Sequence, residues 1–245
     1  MNVTHPLILT IVRHGQTQGN VNKIVEGITD TPINDNGKHQ AKSTGEWLKN
    51  ETFDFVFTSN LKRCKETAAI ILEENINFKK NEGNYAEIEL LREKDFGIYE
   101  GANFDDYKDT AKKEGFSWFD FVPKGAESLD DVKNRAEKFL RMVYGTICSS
   151  NKQTSNVLVV THGFVIAQLI AHLYEETKCP GLPKDELENP WRQTNPSKLL
   201  VVMPNTAITR FEIEVDEKSL QPTTCKNTLF KSKQHLPDYS PAFRQ

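Results

Sequence analysis

"LILTIVRHGQTQGN", residues Leu7–Asn20, runs six apolar or β-branched residues into Arg13, His14 and Gly15. A continuous apolar run of this length reads as a strand buried on both faces, as in the middle of a parallel sheet. Ending such a strand on a cation, an imidazole and a glycine serves either a packed turn or an anion pocket with a nucleophile. The device returns in "NVLVVTHG", Asn156–Gly163, which again goes from apolar strand through histidine to glycine and straight into an apolar helix, "FVIAQLIAHLYEE".

Working outward, "DNGKHQAKSTGEWLKN" carries Ala41, Thr44, Trp47 and Leu48 at helical spacing. It predicts a helix from about Asn36 to Lys49, capped by Asp35 or Asn36. "FDFVFTSN" is a second strand ending near Ser59. "LKRCKETAAIILEEN" is a helix with Leu61, Cys64 and Ala68 along one face. "EIELLREKDFG" reads as a strand entering a loop near Glu93. Ser128 caps the strongest helical pattern, with Val132, Ala136, Phe139, Leu140 and Val143 inward. "LLVVMPNTAITRFEIEV" gives a strand, a turn at Pro204-Asn205 and another strand, together an edge hairpin.

Strands alternating with helices predict an α/β protein in three layers, α/β/α. The central sheet is mainly parallel with an antiparallel edge strand. The 245 residues are read as one domain over 1–235. It has an irregular, aromatic-rich insertion near 98–127 that resembles a lid and a proline-rich one near 177–198. A loosely held tail covers 236–245.

The formal net charge of −3 gives no global basic excess, so nucleic acid is not the expected partner. Cys64, Cys148, Cys179 and Cys225 form no CxxC or zinc-like cluster, so free thiols in a reducing compartment are expected. No apolar run reaches the ~18 residues of a membrane span, and no signal peptide is evident. These features predict a cytoplasmic protein, with the nucleus as the alternative. The oligomeric state is not legible.

In parallel sheets ligands bind at the carboxyl ends of the strands. There the chain places Arg13-His14-Gly15, then Ser59 with Arg63 in the following helix, then Glu93, then His162-Gly163. Two histidines, two arginines and a carboxylate converge if those strands are neighbours.

These residues carry a resemblance. "LTIVRHGQTQGN", "EGITDTPINDNGKHQA", "TSNLKRCKETA", "LLREKDFGIYEG" and "VVTHG" resemble, in order, the motifs of the histidine phosphatase superfamily, which also contains the cofactor-dependent phosphoglycerate mutases. The resemblance implies a phosphoglycerate-mutase-like fold and a hydrolase of phosphoric monoesters, of the histidine acid phosphatase type. It implies that His14 is the nucleophile forming a phosphohistidine, Glu93 the general acid and base, and His162 a second catalytic histidine donating to the phosphoryl group. It places Arg13, Asn20, Gly27, Arg63 and the backbone N–H of Gly163 around the phosphate.

Physical chemistry accommodates each role. Phosphoryl transfer is mostly positioning and charge stabilisation. Arginine offers a fork of donors that lysine lacks, and a helix N-terminus suits an anion. The nucleophilic imidazole must be neutral, with its other nitrogen donating to a fixed acceptor. With arginines supplying the positive charge, no metal and no cofactor are expected.

"ANFDDYKDTAKKEGFSW" contains no arginine, which weakens a mutase reading. "RHGQT", "DTPIN" and "PNTAIT" look more like the small-molecule phosphatase branch, which includes TIGAR-like fructose-2,6-bisphosphatases and fungal broad-specificity phosphatases. The expected partner is a small phosphomonoester such as a sugar bisphosphate or phosphoglycerate. A mutase and a protein phosphatase are the alternatives. Gln16 reads as a neutral turn residue or a catalytic one, Cys64 as a buried helix cysteine or a redox-tuned thiol. Glu127-Ser128 reads as a helix start.

Overall fold

A computed structural model describes residues 3–81, 83–182 and 203–236. Six strands form one sheet: β1 (Thr4–Arg13), β2 (Phe55–Ser59), β3 (Tyr85–Ile88), β4 (Ser155–Thr161), β5 (Ile208–Asp216) and β6 (Gln221–Ser232). Their order is β3-β2-β4-β1-β5-β6. The first four are parallel, and β5 and β6 join as an antiparallel hairpin at the edge. The strands carrying the two histidine motifs, β1 and β4, are therefore central neighbours.

Side-chain alternation assigns the faces. Leu7, Leu9, Ile11, Val157 and Val159 pack with helices α5 (Leu129–Cys148) and α6 (Gly163–Thr177). Val12, Val56, Leu158 and Val160 face the opposite way and pack with α3 (Lys62–Glu74) and with Leu48, which ends α2 (Asp35–Trp47). Both faces of the sheet are covered, as its near-continuous apolar strands require. A single turn, α1 (Gln18–Val21), follows β1.

The cap of α2 falls one residue earlier than expected. Asn34 accepts from Gly37 N, which leaves Asp35 in the first turn where its charge complements the helix dipole. Ser128 caps α5 as expected, in a reciprocal capping box with Asp131.

β5 and β6 form the edge hairpin; the strand expected over Leu199–Val202 lies outside the described residues. β6 is a polar-faced strand, buried only at scattered positions, so it shows no apolar run. The 98–127 segment is less irregular than expected. Helix α4 (Phe104–Lys113) is capped by Asn103, with Asp105 and Asp106 at its start and Lys112 and Lys113 at its end. It closes a small aromatic core of Val25, Phe96 and Tyr107 with Tyr99, Trp118, Phe121 and Phe164 packed against it. Most of the second insertion and the tail beyond Leu236 lie outside the described residues.

Candidate active site

The carboxyl ends of β1 and β4 are tied directly. Arg13 lies opposite Thr161 in the parallel register, and His14 N donates to Thr161 O at 3.0 Å. The two imidazoles that follow have ring centroids 5.2 Å apart, and both side chains are buried.

The hydrogen bonds decide the tautomers. His14 Nδ1 lies 2.8 Å from Gly15 O. A carbonyl only accepts, so Nδ1 carries the proton and Nε2 keeps its lone pair. No described residue bonds that Nε2. Burial, reinforced by the Arg13 and Arg63 charges, holds the His14 pKa well below the ordinary histidine value, so the ring is neutral at physiological pH. At His162 the assignment is reversed. Arg63 Nε donates to Nδ1 (3.2 Å), which leaves Nε2–H to face Ser59 Oγ at 2.9 Å. Burial, with Arg63, lowers this pKa too.

Arg63 is fully buried at the start of α3. Besides His162 it donates to the carbonyls of Thr29 (2.7 Å), Glu26 (3.2 Å) and Gly27 (2.6 Å). The expected fork is present, but here it grips a loop. That loop is held from its other side by Glu100. Its carboxylate accepts from the N–H groups of Gly27, Ile28, Thr29 and Phe96 and from Thr29 Oγ1. Gly27 must be glycine: a Cβ there would stand 2.0 Å from Glu100 Oε1 and 2.3 Å from Lys94 O. Its N–H and carbonyl are thus committed to Glu100 and Arg63. Asn20 is committed as well: its amide donates to Glu26 Oε2 (3.2 Å) and its oxygen accepts from Asn205 Nδ2 (3.1 Å).

Glu93 is buried beyond β3, after a 3-10 turn at Glu89–Leu91. Its carboxyl accepts from Lys94 N (3.0 Å) and from Phe164 N (3.1 Å) in the first turn of α6. Burial raises its pKa against the pull of those bonds and of both arginines. The acceptor at this helix start is therefore the Glu93 carboxyl, sharing the end with an open glycine. A Cβ on Gly163 would lie 3.7 Å from Glu93 Oε2 and 4.0 Å from Arg13 Nε, which puts acid and guanidinium on one small space. Arg13 Nη1 also donates to the Met203 carbonyl.

Several residues that the sequence did not single out hold this arrangement. Thr67 Oγ1 accepts from Gly15 N (2.9 Å). Arg135 donates to the carbonyls of Leu90 and Arg92, just before Glu93, and pairs Glu127 through Nε and Nη2. Asn205 Nδ2 donates to His14 O at 3.0 Å. Lys94 is fully buried: it donates to Phe121 O (3.2 Å) and sits over the Phe96 and Phe164 rings. Burial lowers its pKa to about 8. Thr67, Lys94 and Asn205 fall inside the quoted "TSNLKRCKETA", "LLREKDFGIYEG" and "PNTAIT" without an assigned role; the contacts of all four depend on tertiary bonds that leave no periodic trace.

The open alternatives resolve as follows. Gln16 Oε1 accepts from Asn34 and Asn36, as a turn residue. Gly15 makes room for the backbone of α2 rather than for an anion, since a Cβ would lie 2.6 Å from Gly37 O. Cys64 is fully buried 3.3 Å from His162 Nε2, and burial pushes its pKa up, away from a reactive thiolate.

Residues 9–189 match the model of the histidine phosphatase superfamily, branch 1. The chain belongs to the histidine phosphatase superfamily. Among curated superfamily proteins, it is 33% identical to fructose-2,6-bisphosphatase TIGAR B of Danio rerio, across 93% of this chain and 95% of that one. It is 34% identical to a 2,3-bisphosphoglycerate-dependent phosphoglycerate mutase of Methylorubrum extorquens, across 66% of this chain and 77% of the mutase. The superfamily fold is confirmed by a phosphoglycerate mutase from Bacillus anthracis, with TM-score 0.73 over 95% of this chain and 96% of that one, at 22% identity. A mycobacterial glucosyl-3-phosphoglycerate phosphatase superposes with TM-score 0.69 over 94% of this chain and all of that one, also at 22% identity.

Proposed function

We propose that this histidine phosphatase is a metal-independent phosphomonoesterase for small phosphorylated metabolites, working through a phosphohistidine on His14. The observation that carries the reading is the pairing of His14, with Nε2 left as a nucleophile, and a buried Glu93 carboxyl, its pKa raised by burial, facing the same small space as Arg13. Its relation to a fructose-2,6-bisphosphatase supports sugar bisphosphates as substrates, with phosphoglycerates beside them.

In the first step His14 Nε2 forms a bond to phosphorus as the ester P–O bond breaks, and Glu93 gives its proton to the departing alkoxide. In the second, water attacks the phosphohistidine, Glu93 takes a proton from it, and inorganic phosphate leaves with His14 neutral again. Arg13 neutralises charge on the transferring oxygens. Arg63 and His162 act on the phosphoryl group by exchanging a present partner, a loop carbonyl or Ser59, for a phosphoryl oxygen. Asn20, Gly27 and Gly163 shape the wall of the same pocket.

The experiment is a panel of sugar phosphates, sugar bisphosphates, phosphoglycerates and phosphopeptides assayed with wild type and His14→Ala. Turnover of bisphosphates above phosphopeptides, and its loss in His14→Ala, is expected. Label trapped on the enzyme should be acid-labile and base-stable. Unchanged turnover in His14→Ala refutes the nucleophile, and preferred phosphopeptide turnover refutes the substrate class. Activity should survive chelation; a loss restored by magnesium refutes metal independence.

A further inference from the structure

Away from the candidate site, at the edge of the sheet, α6 ends in a turn built against β6. Lys178 adopts the left-handed conformation (φ 53°) and donates its N–H to Tyr174 O at 2.8 Å. This turns the chain toward the strand. Asn227 N then donates to Pro180 O at 2.9 Å. Gly181 follows at φ +90°, where a Cβ would stand 2.4 Å from Asn227 O, so only glycine permits this approach. These backbone features hold Cys179 and Cys225 in one register. Their side chains are buried and their sulfur atoms lie 2.7 Å apart, although both are free thiols here. This closeness is absent from the sequence, where they stand 46 residues apart.

We propose that Cys179 and Cys225 are a site of reversible oxidation, forming a disulfide that staples the end of α6 to β6. The contact favours one order of events. The Cys225–Cys179 hydrogen bond lowers the Cys179 pKa and raises that of Cys225, so Cys179 is the sulfur that ionises more readily. A groove of about 500 Å³, lined in part by Pro6, Leu7, Pro180, Thr224 and Cys225, reaches the Cys225 side of the pair.

With hydrogen peroxide as oxidant, ionised Cys179 sulfur attacks one peroxide oxygen, the O–O bond breaks, and a sulfenic acid and a hydroxide result, the hydroxide becoming one water with the proton that Cys179 released. Cys225 sulfur then attacks Cys179 sulfur. The S–O bond breaks, the S–S bond forms, and the hydroxide leaves with the Cys225 proton as a second water. Two thiols lose two electrons in total, and one peroxide gains them. A dithiol reductant reverses the bond by exchange.

The test treats the folded full chain with hydrogen peroxide, alkylates remaining thiols and maps peptides without reduction. A Cys179–Cys225 linked peptide is expected, with Cys64 and Cys148 alkylated as free thiols. Closing a long loop should also raise Tm by several degrees, reversed by dithiothreitol. Cys225→Ser and, in case serine disturbs packing, Cys225→Ala should each lack both effects. Alkylated, unlinked Cys179 and Cys225 after peroxide overturns the proposal. So does a link to Cys148 or to a second molecule, or a linked form that melts lower than the reduced one.

Discussion

Glu93 shows how one residue can be set for a task by where its chain is pinned. Arg135 fixes the carbonyls of Leu90 and Arg92, and Thr161 Oγ1 donates to Leu91 O at 2.8 Å. The next side chain is delivered to a buried position beneath α6. Burial raises its pKa from the ordinary carboxylate value, so the acid form persists to higher pH than in water. If it protonates the leaving oxygen, its worth depends on how badly that oxygen needs a proton. Glu93→Gln should therefore reduce kcat/KM for an alkyl phosphate about 10²–10⁴-fold, while kcat/KM for an aryl phosphate with an acidic phenol falls far less. The alkaline fall in the wild-type alkyl profile, caused by ionisation of Glu93, should also vanish in the variant. Steady-state profiles for both substrates check this, and equal losses on both would remove Glu93 from the role of acid.

At the scale of elements, the same glycine-rich character serves opposite ends in the loop at Gly27 and the helix start at Gly163. Gly27 lies between Glu100, Lys94 O and the Arg63 guanidinium, with no room for a Cβ. Gly27→Ala forces backbone apart and breaks bonds to a buried charge, so a loss of about 3 kcal/mol or more in stability is expected. At Gly163 a Cβ meets only ordinary contacts, and alanine is the better helix former. Gly163→Ala should thus keep or slightly raise Tm while weakening binding of inorganic phosphate several-fold, because the methyl enters the space beside Glu93 and Arg13. Chemical denaturation and phosphate titration separate the two results; a stable Gly27→Ala, or unchanged phosphate affinity in Gly163→Ala, contradicts them. These elements also mark what the sequence disclosed. β1 and β4 were legible because burial on both faces leaves unbroken apolar runs, and α5 because a cap precedes a clear 3.6-residue pattern. β6 was not, since an edge strand with one wet face needs few apolar residues. Arg63 and His162 were legible as members of a cluster, but their present partners, a loop carbonyl set and Ser59, follow from a loop folded back by Glu100. Residue type named the participants, and tertiary hydrogen bonds assigned their positions.

For the whole molecule, the concentration of buried ionisable groups at one sheet end predicts an unusual stability profile. His14 and His162 are held neutral by burial. Below the ordinary histidine pKa of 6.5 the unfolded chain takes up protons that the native state refuses, so stability falls as pH drops through that range. Lys94 acts on the alkaline side. It is enclosed by Phe96 and Phe164, with Glu93, Glu127 and Asp120 as the charges that partly offset its desolvation. Its pKa is about 8 in the native state against 10.5 unfolded. Between those values the unfolded chain holds a proton that the native chain has released, so the Lys94 contribution to stability rises with pH. The gain across the window is at most about 3 kcal/mol. Cys64, Cys148 and Cys225 oppose it from about pH 9, and Tyr85, Tyr107 and Tyr144 from about pH 10, because their native pKa values are raised and the unfolded groups ionise first. Urea midpoints measured from pH 8 to 10 should rise for the wild type relative to Lys94→Met, which carries the same thiols and should be the more stable protein at pH 7 because it buries no charge. Parallel curves for the two proteins would show that Lys94 carries its proton outside the aromatic enclosure. Under the proposed reading, that would leave its ammonium available to the substrate rather than to Phe121 O.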